Sequence, residues 1–513
     1  MLKCYYYEMK NNSTKLICSI AGETISDVSG KLILAKENGA DLAEVRLDLL
    51  VDEIKNDKLA ILFENSPIDL IVTCRTVCEG GKFSNSKKQD RILLLEFAAQ
   101  FKKVKYIDCE LDIVEEINIT KTKIASAHLL EKTNLKNIVN KLDELNKSTG
   151  DISKLAFVSN SAFDAISALK LLRENQKQAI LIAMNQAGMV SRIACKKIES
   201  FGSFFSLNNN AKTAAGQVSL KQAKELYHWS EINDETKLFG IVGAPVTHSQ
   251  SPAIHNKSFA EVGYNGLYSF LHTPAGYDEF SNLADSIVEN SWLDFRGLSV
   301  TIPHKENAIR WLGEENCDPL TVKIGAVNTI TFTEGKPFGT NTDCPAALEA
   351  LTEKMQISAS QLSGMKVAVL GAGGVARAII AGLVAHNTDV TILNRTIGKA
   401  DNLAREFSCS FEHLDKFASL TPEVIINCTP VGMTPNVDQS PIASLPSSVK
   451  VVFDTIYNPL ETKLLKIAKA ADCICVSGLD MFVKQAALQF ETWTGKPAPA
   501  DLMKNIVKSN LKL

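Results

Sequence analysis

A lysine stands inside an apolar run, "DISKLAFVS" (151–159), where Lys154 is flanked by Ile152, Leu155, Ala156, Phe157 and Val158. A strand lysine either carries its ammonium out to water along its aliphatic stem or is kept inside to react. Attack on a carbonyl needs the neutral amine, and a free lysine pKa of about 10.4 leaves little of it at neutral pH. Desolvation by apolar neighbours and repulsion by nearby arginines both lower that pKa, so the setting suits an imine-forming nucleophile. A base is available in His128 of "ASAHLLEKT", and Glu79 of "CRTVCEGGKF" could orient its ring. Taken singly, each also has a plain structural reading, as a snorkelling lysine or a core histidine.

A second set lies in the C-terminal half. In "VAVLGAGGVARAIIAGL" (367–383), Gly371, Gly373 and Ala376 satisfy G-x-G-x-x-G/A, with Ala372, Gly374 and Val375 completing the turn. The pattern follows an apolar strand and opens a helix, which lets a dinucleotide pyrophosphate approach the helix N-terminus. The next strand ends in Asn394-Arg395-Thr396, where an NAD enzyme would offer an acid to the ribose hydroxyls. Arg395, with Thr396 and Lys399, suits a 2′-phosphate and so NADP(H); the alternative is a charged surface loop. Upstream, "GAPVTHSQSPAIHN" (243–256) sets Ser249 and Ser251 beside a helix start, as ligand hydroxyls or as N-caps.

The elements that must position these residues fall into two rhythms. From 15 to 208 eight short apolar runs read as strands: "KLICSIAG", "AEVRLDLL", "DLIVTCRT", "KYIDCEL", "KIASAHLL", "KLAFVSN", "AILIAMN" and "GSFFSLN". Helical stretches such as "ISDVSGKLILAKENG" separate most of them, which implies parallel pairing and a compact (β/α)8 TIM barrel. Glu44, Arg46, Asp48, Arg75 and His128 fall late in their runs, at the barrel mouth where active sites lie; the alternative is a set of inter-strand salt bridges. The polar stretch "HWSEINDET" (228–236) reads as a linker, followed by further α/β segments from "KLFGIVGAP" and "MKVAVLGAGG".

Bulk properties narrow the classes. At 513 residues the chain is long enough for several domains. A net charge of −3 with both signs mixed offers nothing to nucleic acid, and no run of about 18 apolar residues would span a membrane. The N-terminus has neither a signal-peptide h-region nor transit-peptide composition. Twelve scattered cysteines form no C-x-x-C pair and no metal cluster, so they read as reduced thiols and the expected compartment is the cytoplasm.

In order, "EVRLD", "TCRTVCEGGKF", "YIDCEL", "SAH", "DISKLA", "SRI" and "AAGQ" resemble type I 3-dehydroquinate dehydratase over almost all of 15–225. The resemblance implies that Lys154 forms a Schiff base with 3-dehydroquinate. His128 then removes the adjacent proton and assists loss of water, and hydrolysis releases 3-dehydroshikimate. It assigns Glu79 to the His128 tautomer and Glu44, Arg46, Arg75, Arg192, Thr213 and Gln217 to substrate, with Arg192 as the carboxylate clamp. Asn185, Thr213, Ala215 and Leu129 depart from the usual pattern, which bears on the lid and on substrate fit.

The motifs around Ser249 and Ser251, then "GLSVTIPHKENA", "IGAVNTI", "GTNTDC", "INCTPVGM" and "GLDMFVKQAALQF", resemble shikimate dehydrogenase across nearly all of 237–513. This implies Lys305 and Asp343 as the proton-moving pair while NADPH delivers hydride; outside such motifs they would be an ordinary exposed ion pair. Ser249 and Ser251 would hold the carboxylate, Thr301, Asn328 and Gln485 the ring hydroxyls, and Tyr457 would lie beside the ring. Thr429 and Gly478 join the glycine turn at the cofactor. Ser299 stands where single-domain relatives usually have asparagine.

Together the resemblances imply a fusion of two successive shikimate-pathway activities: dehydration of 3-dehydroquinate, then reduction of 3-dehydroshikimate to shikimate. The expected domains are 1–230 for the barrel, 237–345 completed by 475–513 for the substrate subdomain, and 346–474 for a Rossmann NADP subdomain. Two rivals are a quinate-directed NAD enzyme and a non-catalytic quinate-responsive regulator on the same scaffold. Retention of Lys154, His128, Lys305 and Asp343 together argues against the regulator.

Overall fold

The computed structural model describes residues 14–51, 56–208 and 216–511. The chain divides into two compact units, Met1–Leu238 with Asn265–Pro274 and Asn282–Asp294, and Phe239–Tyr264 with Ala275–Ser281 and Phe295–Leu513.

The first unit is built on eight strands: β1 (Lys15–Ile20), β2 (Leu42–Arg46), β3 (Leu70–Thr73), β4 (Val104–Glu110), β5 (Thr122–Lys132), β6 (Ile152–Val158), β7 (Ala179–Met184) and β8 (Gly202–Ser206). Each overlaps one of the eight apolar runs. Their order is β7-β6-β5-β4-β3-β2-β1-β8 with parallel pairing throughout. The Phe201 N–H donates to the Ala179 carbonyl at 3.2 Å where β7 and β8 meet, nearly closing the barrel.

Alternation along each strand sorts the barrel interior into layers. Ile17, Leu42, Ile71, Ile124, Ile152 and Ile180 form part of an apolar floor. Two residues further along, in five of those strands, stand Ser19, Glu44, Thr73, Ser126 and Lys154, and Asp108 joins them from β4, all buried. The sequence thus places a polar layer directly above an apolar one, one step nearer the C-terminal mouth. The intervening helices are locally encoded: Thr24 caps Ile25–Glu37, Asn134 caps Leu135–Lys147, and Ser161 with Asp164 forms a capping box on Ala162–Glu174.

The stretch 228–236, read as a linker, is held down on the barrel. Trp229 is buried with its ring edge-on to Phe205 at 5.0 Å and the Lys196 ammonium over it at 5.5 Å. Lys197 Nζ donates to the carbonyls of Asp234 and Thr236. Two lysines satisfy carbonyls along a stretch pinned by an aromatic, so it is anchored rather than loose.

Two further sheets follow. The first has order β10-β9-β11-β12-β13, from β9 (Lys237–Gly243), β10 (Gly266–His272), β11 (Phe295–Val300), β12 (Thr329–Thr333) and β13 (Lys336–Thr340), with β11–β12 and β12–β13 paired antiparallel. The second is parallel, order β16-β15-β14-β17-β18-β19, from β14 (Lys366–Leu370), β15 (Asp389–Asn394), β16 (Ser410–His413), β17 (Val424–Asn427), β18 (Val451–Asp454) and β19 (Ile474–Ser477). This order reverses at β14, between β15 and β17, the switch point where dinucleotides bind in open α/β sheets. The helix Gly478–Thr494 packs on the helix Asp343–Met355 and on β11 and β12. Among the described residues no helix is long and apolar enough to cross a membrane.

Candidate functional site

At the barrel mouth Lys154 is buried and does not snorkel. Its Nζ lies 2.8 Å from Asp108 Oδ2, 3.2 Å from Glu44 Oε1 and 4.0 Å from the centroid of the Phe204 ring. The expectation that apolar neighbours surround the amine is therefore corrected. Leu155 and Phe157 alternate to the outer face of the strand, and the amine meets two carboxylates and one aromatic face.

The remaining groups converge on the same layer. Ser19 and Thr73 hydroxyls donate to Glu44 at 2.9 and 3.0 Å. Burial alone would raise the Glu44 carboxyl, but Lys154 and Arg46 outweigh it and hold it below its ordinary value. Arg46 is tied to Asp48 through Nε and Nη2 at 2.8 and 2.7 Å. Arg75, expected to bind substrate, has its guanidinium engaged on all sides of the barrel wall: Nη2 to Asp108 at 2.7 Å, and Nη1 to Ser126, Glu79 and Glu110 at 2.9, 3.1 and 3.3 Å.

His128 lies on β5 two residues beyond Ser126, which is the register partner of Lys154. Its Nδ1 is 3.0 Å from Glu79 Oε2. Burial, then Arg75 and Lys154, hold the imidazole well below its usual value, while burial pushes Glu79 up to about 8 against the pull of Arg75. The ring is therefore neutral and available to accept a proton.

Arg192, on the short helix Met189–Ala194 that follows β7, is buried. Burial lowers its guanidinium to about 10, and its Nε has no hydrogen-bond partner among the described residues. A buried cation in that condition is a place for an anion. Gln217 is buried beside β8, whose Ser206 N–H donates to the Val218 carbonyl. Thr213 and Ala215 lie outside the described residues. Asn185, one of the departures, has φ 65° and ψ −179°, a region nearly confined to glycine; its Nδ2 donates to the Ser159 carbonyl at 3.2 Å.

The second unit brings a separate set together. Lys305 and Asp343 each begin a helix, Lys305–Leu312 and Asp343–Met355, and their Nζ and Oδ2 atoms are 2.5 Å apart. A Cβ at Gly374 would lie 3.3 Å from Lys305 Cδ, so this lysine stands against the glycine turn. Gly371 has φ 105° and faces Thr429, which a Cβ there would approach to 3.1 Å. The space around Gly373 is open, and no side chain caps the helix Gly374–Ala385. Together with buried Ala376, these features leave room for a pyrophosphate at uncapped N–H groups. Thr429 is fixed by Asn427 at 2.7 Å, and Gly478 sits where a Cβ would meet the Ile456 and Thr455 carbonyls at 2.4 Å.

At the end of β15, Asn394 Nδ2 donates to the Thr396 carbonyl, Thr396 starts the helix Ile397–Phe407, and Arg395 and Lys399 are exposed; Ala372 and Val375 are half-buried on the glycine turn. Ser249 Oγ accepts from the Ser251 N–H at 3.2 Å and lies 3.1 Å from Ser251 Oγ. One hydroxyl thus does serve the helix start, as the N-cap reading allows. Thr301 is half-buried after β11, Tyr457 stacks on Phe482 at 4.4 Å, and Gln485 donates to the Phe482 carbonyl at 3.0 Å. Asn328 is buried, receiving the Thr342 N–H at 2.8 Å and the Thr329 hydroxyl at 2.7 Å.

Sequence reasoning missed several residues. Asp108 and Glu110 of "YIDCEL" alternate onto the inner face, a signal legible from their spacing of two. Gln489 joins Ser299 at 2.7 Å to Thr329 at 2.9 Å. Ser299 therefore has a hydrogen-bond partner far along the chain.

Comparison with known proteins follows the same division. Family models match as type I 3-dehydroquinase over 16–234, shikimate dehydrogenase substrate binding domain over 241–330, shikimate/quinate 5-dehydrogenase over 353–459, and shikimate 5′-dehydrogenase C-terminal domain over 478–508. A bifunctional 3-dehydroquinate dehydratase/shikimate dehydrogenase of Arabidopsis thaliana, described as chloroplastic, is 34% identical over 524 residues, covering 96% of this chain and 84% of that protein. A shikimate dehydrogenase (NADP(+)) of Carboxydothermus hydrogenoformans is 40% identical, over 54% of this chain and 98% of its own. A crystal structure of a shikimate dehydrogenase in complex with NADP+ is 36% identical with a TM-score of 0.50, covering 54% of this chain and 96% of that one. The chain belongs to the family of bifunctional 3-dehydroquinate dehydratase/shikimate dehydrogenases.

Proposed function

We propose that this chain performs two consecutive reactions, dehydration of 3-dehydroquinate to 3-dehydroshikimate and NADPH-dependent reduction of 3-dehydroshikimate to shikimate, in the biosynthesis of aromatic amino acids. The observation that carries the reading is the presence of both constellations in one chain: a buried lysine beside a neutral His128–Glu79 pair, and a Lys305–Asp343 pair against a glycine turn.

In the barrel, Lys154 attacks the ketone and His128 takes the proton from the carbon beside the resulting iminium, then returns one to the departing hydroxyl. Glu79 holds the ring by Nδ1 and leaves Nε2 for the substrate. Arg192 pairs with the substrate carboxylate, and Glu44, Arg46, Arg75, Thr213 and Gln217 complete the pocket. In the second half the nicotinamide supplies hydride when bound. Lys305 and Asp343 hold and move the proton at the substrate oxygen. Ser249 and Ser251 take the carboxylate, Thr301, Asn328 and Gln485 the hydroxyls, and Tyr457 the ring edge. Gly371 to Ala376, Thr429 and Gly478 line the cofactor, with Asn394, Arg395, Thr396 and Lys399 at its 2′-phosphate.

We read the domains as 1–230, 237–345 with 475–513, and 346–474. Eleven described cysteines are free and six of them buried, which suits a reducing compartment, the cytoplasm. Borohydride added during turnover of 3-dehydroquinate is expected to fix substrate mass on Lys154, read by peptide mass spectrometry. Label on another residue, or none, would overturn the Schiff-base assignment.

A further inference from the structure

We propose that Asp108 is a catalytic residue of the dehydratase, serving as the fixed counter-ion of Lys154 before imine formation and of the iminium afterwards. The proposal rests on the Schiff-base reading above. Asp108 Oδ2 is 2.8 Å from Lys154 Nζ, the closer of the two carboxylates on that amine. Its Oδ1 accepts from Arg75 Nη2 at 2.7 Å and from Ser126 Oγ at 2.6 Å, and the side chain has no exposure. Each oxygen is thus committed to a named cation and the group cannot swing away.

Burial works against the charge of Asp108, yet Arg75 and Lys154 hold its carboxyl well below the usual carboxylate range. It is therefore no proton acceptor and acts by its charge alone. It is also one member of a continuous chain: His128 Nδ1 to Glu79 Oε2 (3.0 Å), Glu79 Oε2 to Arg75 Nη1 (3.1 Å), Arg75 Nη2 to Asp108 Oδ1, and Asp108 Oδ2 to Lys154 Nζ. The base and the nucleophile are tied through it.

The covalent sequence shows why a permanent anion is needed. The Lys154 ammonium gives up one proton to a base at the mouth, for which His128 is the candidate. The nitrogen lone pair then bonds to the ketone carbon while the carbonyl π pair moves to oxygen, which takes a proton to give the carbinolamine. A second proton leaves the nitrogen and the hydroxyl is protonated; the nitrogen lone pair forms C=N as the C–O pair departs with water, leaving a cationic iminium. Positive charge on this nitrogen thus brackets the neutral amine, and hydrolysis reverses the order.

Without the anion the amine is easier to deprotonate, so the rising limb of imine formation moves to lower pH. The iminium meanwhile loses its partner, so turnover falls. The full chain and its Asp108→Asn and Asp108→Glu variants are compared by rapid-quench borohydride trapping across a pH series, with steady-state kcat alongside. Asp108→Asn is expected to shift the limb down by about one to two pH units and to lower kcat about 100-fold. Asp108→Glu keeps the charge but moves it, so the limb stays in place while kcat falls about tenfold. An Asn variant with an unmoved limb overturns the proposal even if kcat falls, because a structural role alone predicts that pattern. If Asp108→Asn does not fold, Asp108→Glu decides, and a wild-type kcat there overturns it. Absence of trapping on Lys154 in the unmodified chain would instead refute the Schiff-base reading itself.

Discussion

Replacing Lys154 by alanine is expected to lower dehydratase kcat by about 10⁴-fold or more while leaving NADP+-dependent oxidation of shikimate within about twofold of the parent, since the two sets of residues share no partner. The loss corresponds to about 5 kcal/mol of barrier. Alanine also strands Asp108 and Glu44 without their shared cation, and breaking a buried pair from one side costs about 3–5 kcal/mol of stability. Lys154→Arg separates the two effects. Arginine keeps a cation against both carboxylates but cannot form the imine, so the barrel should retain more of its stability while dehydration is lost to the same extent. Activity assays of each half, with thermal melts, check both statements. Substantial dehydration by Lys154→Arg would show that the lysine acts through its charge and not through a covalent bond.

In the second half, Lys305→Ala is expected to cut the kcat of shikimate oxidation and 3-dehydroshikimate reduction by about 10²–10⁴-fold, with NADPH affinity little changed. The asymmetry follows from position. Lys305 begins its own helix, pairs with Asp343, and would meet a Cβ built at Gly374 through its aliphatic Cδ. The groups proposed for the cofactor phosphates are instead the N–H groups at the start of Gly374–Ala385 and the Arg395 loop. Cofactor titration by fluorescence beside steady-state kinetics reads the two separately. Loss of NADPH binding with chemistry intact would move Lys305 from the reaction to the cofactor. The dehydratase of the same variant should be unchanged and provides an internal control.

The barrel strands were legible because parallel strands buried on both faces read as short apolar runs, and all eight runs coincide with strands. The glycine turn was legible because it follows an apolar strand and opens a helix, and Gly371 takes a positive φ there. What surrounds Lys154 was not. Its sequence neighbours Leu155 and Phe157 suggested an apolar pocket, but a strand shows alternate residues to opposite faces, and the amine meets groups from β2, β4 and β8. Asp108 and Glu110 were within a quoted motif and could have been found by carrying that alternation across all eight strands. The Ser299–Gln489 bond joins residues 190 apart, and no local pattern signals it. The polar composition of 228–236 marks a junction but does not show its anchoring, which one ring and two lysines provide. Asn185 shows the converse, a departure visible in sequence whose cost becomes plain only in its dihedral angles.

The central claim, that one chain carries both steps, is tested most directly by supplying the purified protein with 3-dehydroquinate and NADPH alone, following shikimate by chromatography and NADPH loss by absorbance. The account predicts that shikimate accumulates in proportion to NADPH consumed. Accumulation of 3-dehydroshikimate with NADPH untouched, or no conversion of 3-dehydroquinate at all, would contradict it.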